Sequence, residues 1–528
     1  MRENIIDNDK LSVVFFSHSA EWNGSEKSLF DMLMSIKAIV NPIVILPNKG
    51  YLSYRLEEAG IQFFIAAYSC HYSQIREKES EQFVNNIEAA FKICKYLSDT
   101  KVDIIHSNTS VCDVGAIVAV LLNKPHIWHL REMVKDQFDG QYWNIEEKKA
   151  LFECTDLFVC NSNTVQNHFA QNYNIRSEVI YNAVTIDESI KGYDNWNDTK
   201  CNILFAGGFY ERKGIWDALK AIEYLKKQYG IKTKLYIAGK SDNDEEWIVR
   251  KYILLHQLQD SVEIIGFQED LSRWRHNCGI SLTCAWKEAL GRITIEAMLS
   301  KMIPIGADTG GTKEIIGNDE TKGFLYTSRD YTDLARAIKR VIEISEQEYE
   351  IISQNAREYA KNTFNSNIYV QKITQRYREC HDLYENSSND NSRYKVFEVF
   401  QKRLSGIAIS DTLDMNLKIR ALWCKTIWNK ENIADRILGM GYTSVGIYGM
   451  GVYGKRLYDE FIDRGIDVIC IKDSNGAVMQ EIIPVYFTEE NLPRDLLWII
   501  TLVKESEKVK ERLKQKGIQA ITMCDLLG

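Results

Sequence analysis

Short apolar runs alternate with longer amphipathic stretches through most of this chain. Runs at 13–16, 43–46, 61–66, 104–106, 157–160 and 179–181 read as strands, and after a polar stretch at 194–200 the rhythm returns at 203–206, 234–238, 262–265, 279–284 and 302–306. Such alternation predicts an α/β protein with mostly parallel sheets and helices on both faces. A second polar stretch, 385–393, contains N-S-S-N-D-N-S-R and reads as a linker. Beyond it, 394–440 is helical in pattern, with strands expected before Gly449, at 468–471 and at 497–501, and a helix at 505–517. The expected domains are therefore 1–193, 194–384, a linker at 385–393, a helical segment at 394–440 and a small α/β domain at 441–528.

The most informative segment is 286–298, W-K-E-A-L-G-R-I-T-I-E-A-M. The apolar run before it suits a buried strand, and Ile293, Ile295, Met298 and Leu299 suit a helix after Gly291. Glu288 then sits on the loop and Glu296 about two turns into the helix. Both can face a ligand at the helix N-terminus, where free amides favour phosphate. Glu288 would accept hydrogen bonds from sugar hydroxyls and Glu296 from a ribose. The same pattern also fits an ordinary amphipathic helix with two solvated glutamates.

In the last domain Gly449, Gly451 and Gly454 form G-x-G-x-x-G after a strand and into a helix, and Asp473 follows nineteen residues later. That is near the spacing at which an acid binds a ribose in a dinucleotide fold. Two readings stay open: a second nucleotide or dinucleotide site, or a domain that keeps the fold and serves as a docking platform. The 441–528 stretch is too short for six strands.

Composition narrows the class. With 528 residues and 45% hydrophobic positions the chain fills several cores, and six prolines argue against disorder. A net charge of −8 argues against a nucleic-acid partner. Twelve cysteines without a C-x-x-C pair suggest neither zinc nor a disulfide framework, and read as thiols of a reducing cytoplasm. The polar first ten residues do not resemble a secretory signal, and the longest apolar stretch, 114–122, is far below a membrane span of about 20 residues. The basic candidate for membrane contact, 146–152 with Lys148 and Lys149, reads as a solvated face.

The segment 286–298 resembles the Glu-x7-Glu motif of retaining glycosyltransferases of family four, which have the two-domain GT-B fold. N-G-S-E at 23–26 resembles the loop opening their first helix, and I-W-H-L-R-E at 127–132 the segment with an active-site histidine. V-C-N-S-N-T at 159–164 and V-I-Y-N-A-V at 179–184 resemble the strand ends before the crossover between domains. I-L-F-A-G-G-F-Y-E-R-K-G at 203–214 resembles the donor-phosphate loop, and G-G-T-K-E-I at 310–315 the turn after the glutamate motif. The resemblance covers about 11–384. The tail resembles small Rossmann-like domains appended to polysaccharide-biosynthesis proteins.

The resemblance implies two Rossmann-like domains facing a cleft, acceptor side first and donor side second. It implies a metal-independent transferase moving a sugar from a nucleoside-diphosphate sugar, UDP-sugar as the first expectation, to a glycan or lipid-linked acceptor with retention. Glu288, His129 and Lys213 would be catalytic. Gly24, Gly207, Gly208, Arg212, Lys213, Glu288, Ala289, Leu290, Gly291, Arg292 and Glu296 would bind the donor. The family's usual arginine after the first glycine is replaced here by Gly208, and Arg212 or Arg292 would compensate. Arg131 and Glu132 would bind acceptor or pair with each other; His106 and Asn108 would line an acceptor site. Ser25 and Glu26 would cap the first helix. No carboxylate is marked as a nucleophile, which favours front-face attack with the leaving phosphate taking the acceptor proton. A cytoplasmic protein, peripheral at the inner membrane face and dimerising through its tail, fits this role in surface-glycan synthesis. The competing readings are a sugar-nucleotide epimerase or hydrolase, and a non-catalytic nucleotide-binding scaffold.

Overall fold

The computed structural model describes residues 10–70, 78–138, 142, 144–185, 199–240, 243–385, 391–410, 414–473 and 483–527. Most of the two polar stretches expected as linkers, 194–198 and 386–390, lies outside them. The chain divides into two compact units, one of residues 1–76 and 90–389, the other of residues 77–89 and 390–528.

The first unit holds two parallel sheets. One comprises β1 (Ser12–Ser17), β2 (Asn41–Leu46), β3 (Gln62–Ile65), β4 (Ile104–Asn108), β5 (His126–Leu130), β6 (Leu157–Cys160) and β7 (Glu178–Val179), in the order β3-β2-β1-β4-β5-β6-β7. The other comprises β8 (Asn202–Ala206), β9 (Lys234–Ala238), β10 (Val262–Gly266), β11 (Ile280–Thr283), β12 (Ile303–Ala307) and β13 (Phe324–Tyr326), in the order β10-β9-β8-β11-β12-β13. The central strands are covered on both faces, which is why β1 reads as an unbroken buried run rather than an alternating one. Strand order reverses at β1/β4 and at β8/β11, and ligands of such sheets sit beyond the carboxyl ends there.

Two strands of these sheets carried no strand signal in the pattern. β5 is interrupted by His126 and His129, and β13 has only three residues. The helix Ser366–Glu385 belongs by sequence to the second domain, yet its Tyr369, Ile373 and Tyr377 are buried in the core of the first sheet. A further apolar cluster joins Val184 to Leu290, Ile295, Met298, Ile315, Ile316 and Phe364.

The reading of 146–152 as a solvated face holds for Glu146 and Lys149, which are exposed, and is corrected at Lys148. In the helix Ile145–Glu153, Lys148 is fully buried. Its ammonium pairs with Asp113 and donates to the Ser110 carbonyl, with the rings of Trp128, Tyr142 and Phe152 at 4.2, 4.5 and 5.0 Å. Burial pushes its pKa down, and Asp113 opposes that. A lysine bears burial only when its charge is matched, and removing one partner of such a pair costs about 3–5 kcal/mol. The apolar run at 114–122 is the short buried helix Val114–Leu122, and no helix among the described residues is long and apolar enough to cross a membrane.

The second unit is built on β14 (Ser444–Tyr448), β15 (Asp467–Lys472), β16 (Val485–Tyr486), β17 (Leu497–Ile500) and β18 (Ala520–Thr522), all parallel in the order β16-β15-β14-β17-β18. Its helical segment is three helices, Asn391–Ile409, Met415–Trp428 and Ile433–Gly439. The first begins inside the expected linker. Residues 77–89, from the start of the helix Glu79–Tyr96, belong to this unit. Phe83 meets Phe400 edge-on at 5.2 Å, Glu79 pairs with Arg403 at 2.9 Å, and Glu88 pairs with Arg420 at 2.8 Å.

Candidate functional site

Beyond β8 the chain turns through Gly207 and Gly208 into a single 3-10 turn, Glu211–Lys213. Both glycine amides donate to the Ala238 carbonyl. Gly208 has φ +76°, and a Cβ there would lie 2.8 Å from the Lys240 carbonyl oxygen. Glycine is thus required by this loop, which explains why the expected arginine is missing. The turn aims Lys213 at the loop beyond β11, where its ammonium donates to Glu288 Oε2 at 2.8 Å. Both side chains are half-buried, so a ligand can reach them. Arg212 stacks on Tyr210 at 5.3 Å, and its carbonyl accepts from the Trp286 amide.

Gly291, at φ +90°, starts the helix Arg292–Leu299. Glu296, on its second turn, is buried and held by two guanidiniums, Arg275 at 2.5 Å and Arg292 at 2.9 Å. Arg292 also pairs with Asp31 of the first-domain helix Gly24–Ile36 at 2.7 Å. Burial pushes the Glu296 carboxyl up, but Arg275 and Arg292 outweigh it and keep it below the usual carboxylate range. Burial likewise lowers the Arg292 pKa, while Glu296 and Asp31 raise it overall. Lys27 faces the same cluster, and burial lowers its pKa. The sequence pattern marked Glu296 and Arg292 but missed Arg275, Asp31 and Lys27. Lys27 directly follows the N-G-S-E motif, but Arg275 and Asp31 lie in no motif, and the convergence of all three on Glu296 and Arg292 is visible only in three dimensions.

Gly24 opens the first helix, and a Cβ there would meet nothing within 4 Å. Packing therefore does not require glycine at this position. Glu26 accepts from the Asn23 amide at 3.1 Å, so Glu26 caps the helix as expected, with Asn23 rather than Ser25 at its head.

The histidines and their neighbours form a buried polar cluster at the ends of β4 and β5. His129 Nδ1 lies 3.2 Å from Arg131 Nη2. A guanidinium can only donate, so Nδ1 accepts and Nε2 carries the proton. That Nε2–H has no hydrogen-bond partner among the described residues. His106 Nδ1 lies 2.9 Å from the Tyr377 hydroxyl, and the two imidazoles are 5.6 Å apart. Burial, then Arg131, holds both rings well below the usual histidine pKa, so both are neutral at pH 7. Arg131 and Glu132 are each engaged elsewhere. Arg131 donates to Asn108 at 2.6 Å and to Asn182 at 2.5 Å, while Glu132 accepts from the amide and hydroxyl of Ser110. His106 and Asn108 are fully buried, and so help position this cluster instead of lining an open surface.

In the second unit the glycine loop is tightly built. Gly449 has φ +101°, and a Cβ at Gly454 would lie 2.0 Å from the Gly449 carbonyl oxygen. Gly451 starts the helix Val452–Asp463 with open space around it. Asp473 Oδ2 accepts from the Met450 amide at 2.5 Å, so the acid expected to face a ribose braces the loop itself. Among the described residues no cluster of His, Cys, Asp or Glu is arranged to hold a metal ion.

Comparison with known proteins follows the same layout. Residues 51–188 match the family described as Glycosyltransferase Family 4, and residues 187–359 the family described as Glycosyl transferases group 1. An uncharacterized glycosyltransferase of Methanocaldococcus jannaschii, MJ1059, is 22% identical over 255 residues, which are 44% of this chain and 62% of that protein. The chain thus spans under two thirds of that relative's length. HepE of Anabaena, solved in complex with UDP and glucose, is similar at TM-score 0.59 and 20% identity, over 70% of this chain and 100% of that one. A variant of S. aureus TarM, solved with fondaparinux, alpha-GlcNAc-glycerol and UDP, is similar at TM-score 0.57 and 11% identity, over 70% and 99% of the two chains. These likenesses establish the GT-B fold.

Proposed function

From the premise that the chain belongs to the glycosyltransferases, through its match to Glycosyltransferase Family 4 over residues 51–188 and to Glycosyl transferases group 1 over residues 187–359, we propose that it is a metal-independent, retaining enzyme. It moves a sugar from a nucleoside-diphosphate sugar to a glycan or lipid-linked acceptor in surface-polysaccharide synthesis. The observation that carries this reading is the meeting of Lys213 and Glu288 beyond β8 and β11, beside a Glu296 kept ionised by two arginines. A diphosphate entering there would take Lys213 from Glu288, leaving that carboxylate to receive sugar hydroxyls. Glu296 would receive the ribose, and the open space before Gly24 would admit a phosphate. His129 presents a buried, unsatisfied N–H that a sugar oxygen would satisfy. Attack comes from the leaving-group face, with the departing phosphate taking the acceptor proton. UDP is the first donor base to test, because HepE was solved with it. In the second unit, Asp473 bracing its own loop favours a docking platform over a nucleotide site.

The test is melting temperature with a panel of nucleoside diphosphates and nucleotide sugars, with and without EDTA, for the wild type and Lys213→Ala. A ligand bound only by the folded state raises stability by mass action, about 2.7 kcal/mol at a hundredfold excess over Kd. The expected result is a shift with one base, indifferent to EDTA and lost in the variant. No shift with any nucleotide sinks the reading.

A further inference from the structure

The short helix Gly310–Ile316 touches the glutamate loop with its first turn and the first domain with its last. The Gly311 amide donates to the Glu288 carbonyl at 2.7 Å, and a Cβ at Gly311 would lie 2.6 Å from the Ala289 carbonyl oxygen. Glu314, at the other end, accepts from the amides of Asn163 and Thr164, both at 2.9 Å. It also accepts from the Thr164 hydroxyl at 2.9 Å, the Asn163 side-chain amide at 2.8 Å and the Tyr181 hydroxyl at 2.6 Å. Those backbone amides open the first-domain helix Asn163–Tyr173, where a negative charge is favoured. Burial pushes the Glu314 carboxyl up, but the hydrogen bonds from Tyr181, Asn163 and Thr164 outweigh it and hold it ionised.

Ser162 caps the same helix, accepting from the Val165 amide at 3.1 Å, and its hydroxyl donates to the Ala289 carbonyl at 2.6 Å. Two successive carbonyls of the glutamate loop are therefore anchored from different domains, Glu288 by Gly311 and Ala289 by Ser162. In a trans peptide the N–H points opposite to its carbonyl. Anchoring the Ala289 carbonyl on Ser162 fixes the direction of the Leu290 amide, and anchoring the Glu288 carbonyl fixes that of the Ala289 amide.

We propose that Ser162 and Glu314 are positioning residues through which the first domain sets the backbone of the donor loop 288–291, so that the grip on a diphosphate depends on the docking of the two domains. This rests on the reading of that loop as the diphosphate site. Ser162 holds the loop directly, and Glu314 holds the helix that carries Ser162.

The test is calorimetric titration of the full chain with UDP and UMP, for the wild type, Ser162→Ala, Glu314→Ala and Glu314→Gln. If another base stabilises the wild type, its di- and monophosphate are used instead. The readout is the ratio of diphosphate to monophosphate affinity. A purely structural role lowers the melting temperature of all variants and leaves that ratio alone. The expected result is a ratio reduced roughly tenfold in Ser162→Ala and Glu314→Ala, as for one lost charge-assisted contact, with monophosphate affinity unchanged. Glu314→Gln, which keeps one accepting oxygen, is expected to lose less, and it carries the test if Glu314→Ala does not fold. An unchanged ratio in Ser162→Ala and in a folded Glu314 variant overturns the proposal while the proposed function stands. A wild type that binds no nucleoside diphosphate overturns the proposed function itself.

Discussion

Charged and polar side chains in this protein are buried in sets, and each set has its own chemistry. Lys148 and Asp113 neutralise each other inside an aromatic cage, whereas His106 and His129 are buried uncharged beside the Arg131 guanidinium. The unfolded chain protonates a histidine near pH 6.5, while the native protein keeps these two neutral to a lower pH. The unfolded state therefore binds more protons as pH falls through that window, and stability must drop with it. Urea unfolding between pH 7.5 and 5 is expected to lose up to about 1.4 kcal/mol per pH unit for each ring. Glu296 and Glu314, whose pKa values are lowered, begin to lose their contribution only as pH falls through the carboxylate range, and Asp217 and Glu460, raised by burial, act in the opposite direction, so a fall in stability in this window belongs to the histidines. A flat profile there would mean that the rings are protonated in the folded protein. Lys213 and Glu288 stand out in the sequence because each lies in a local motif. Arg275 does not, since its partner Glu296 is on another element.

At the scale of elements, the site is made by loops following strands, and glycines decide how closely those loops approach. Gly208 lies over the Lys240 carbonyl, and Gly239, at φ +150°, would with a Cβ come within 2.3 Å of the Gly208 amide nitrogen. The ends of β8 and β9 therefore pack backbone against backbone. Restoring the family's arginine by Gly208→Arg is expected to destabilise the protein by about 1–2 kcal/mol and not to tighten nucleotide binding. Thermal melting and a nucleotide titration check both, and a tighter-binding, undiminished variant would mean that this loop accepts a side chain. The strand–loop–helix at 279–298 was legible because strand, turn and helix signals follow one another locally. β5 was legible only as a motif, its histidines breaking the apolar run that marks a strand.

At the scale of the molecule, both Rossmann-like sheets of the GT-B fold lie in one compact unit, and the tail forms another with residues 77–89. A ligand that binds only the first unit stabilises only what unfolds with it. Scanning calorimetry is expected to show two transitions, of which a saturating nucleoside diphosphate raises one. A single transition moving as a whole would show that the units unfold together. Residues 77–89 gave no sign in the sequence of belonging with the tail, because an amphipathic helix shows that it has a buried face without showing what covers it.

The sequence by itself determined the α/β class, the strands of both main sheets apart from β5 and β13, and the identity of Lys213, Glu288, Glu296 and His129 as candidate chemistry. Periodicity and short motifs are properties of neighbouring residues, and folding preserves them. Only the tertiary structure decided that Lys148 is interior, that Glu296 rests between Arg275 and Arg292, and that across the domain boundary Ser162 reaches the loop 288–291 while Glu314 reaches the helix that follows Ser162. Apart from Arg292, one helical turn from Glu296, those are contacts between elements tens to more than a hundred residues apart, and no local pattern records which distant charge or carbonyl a side chain will meet.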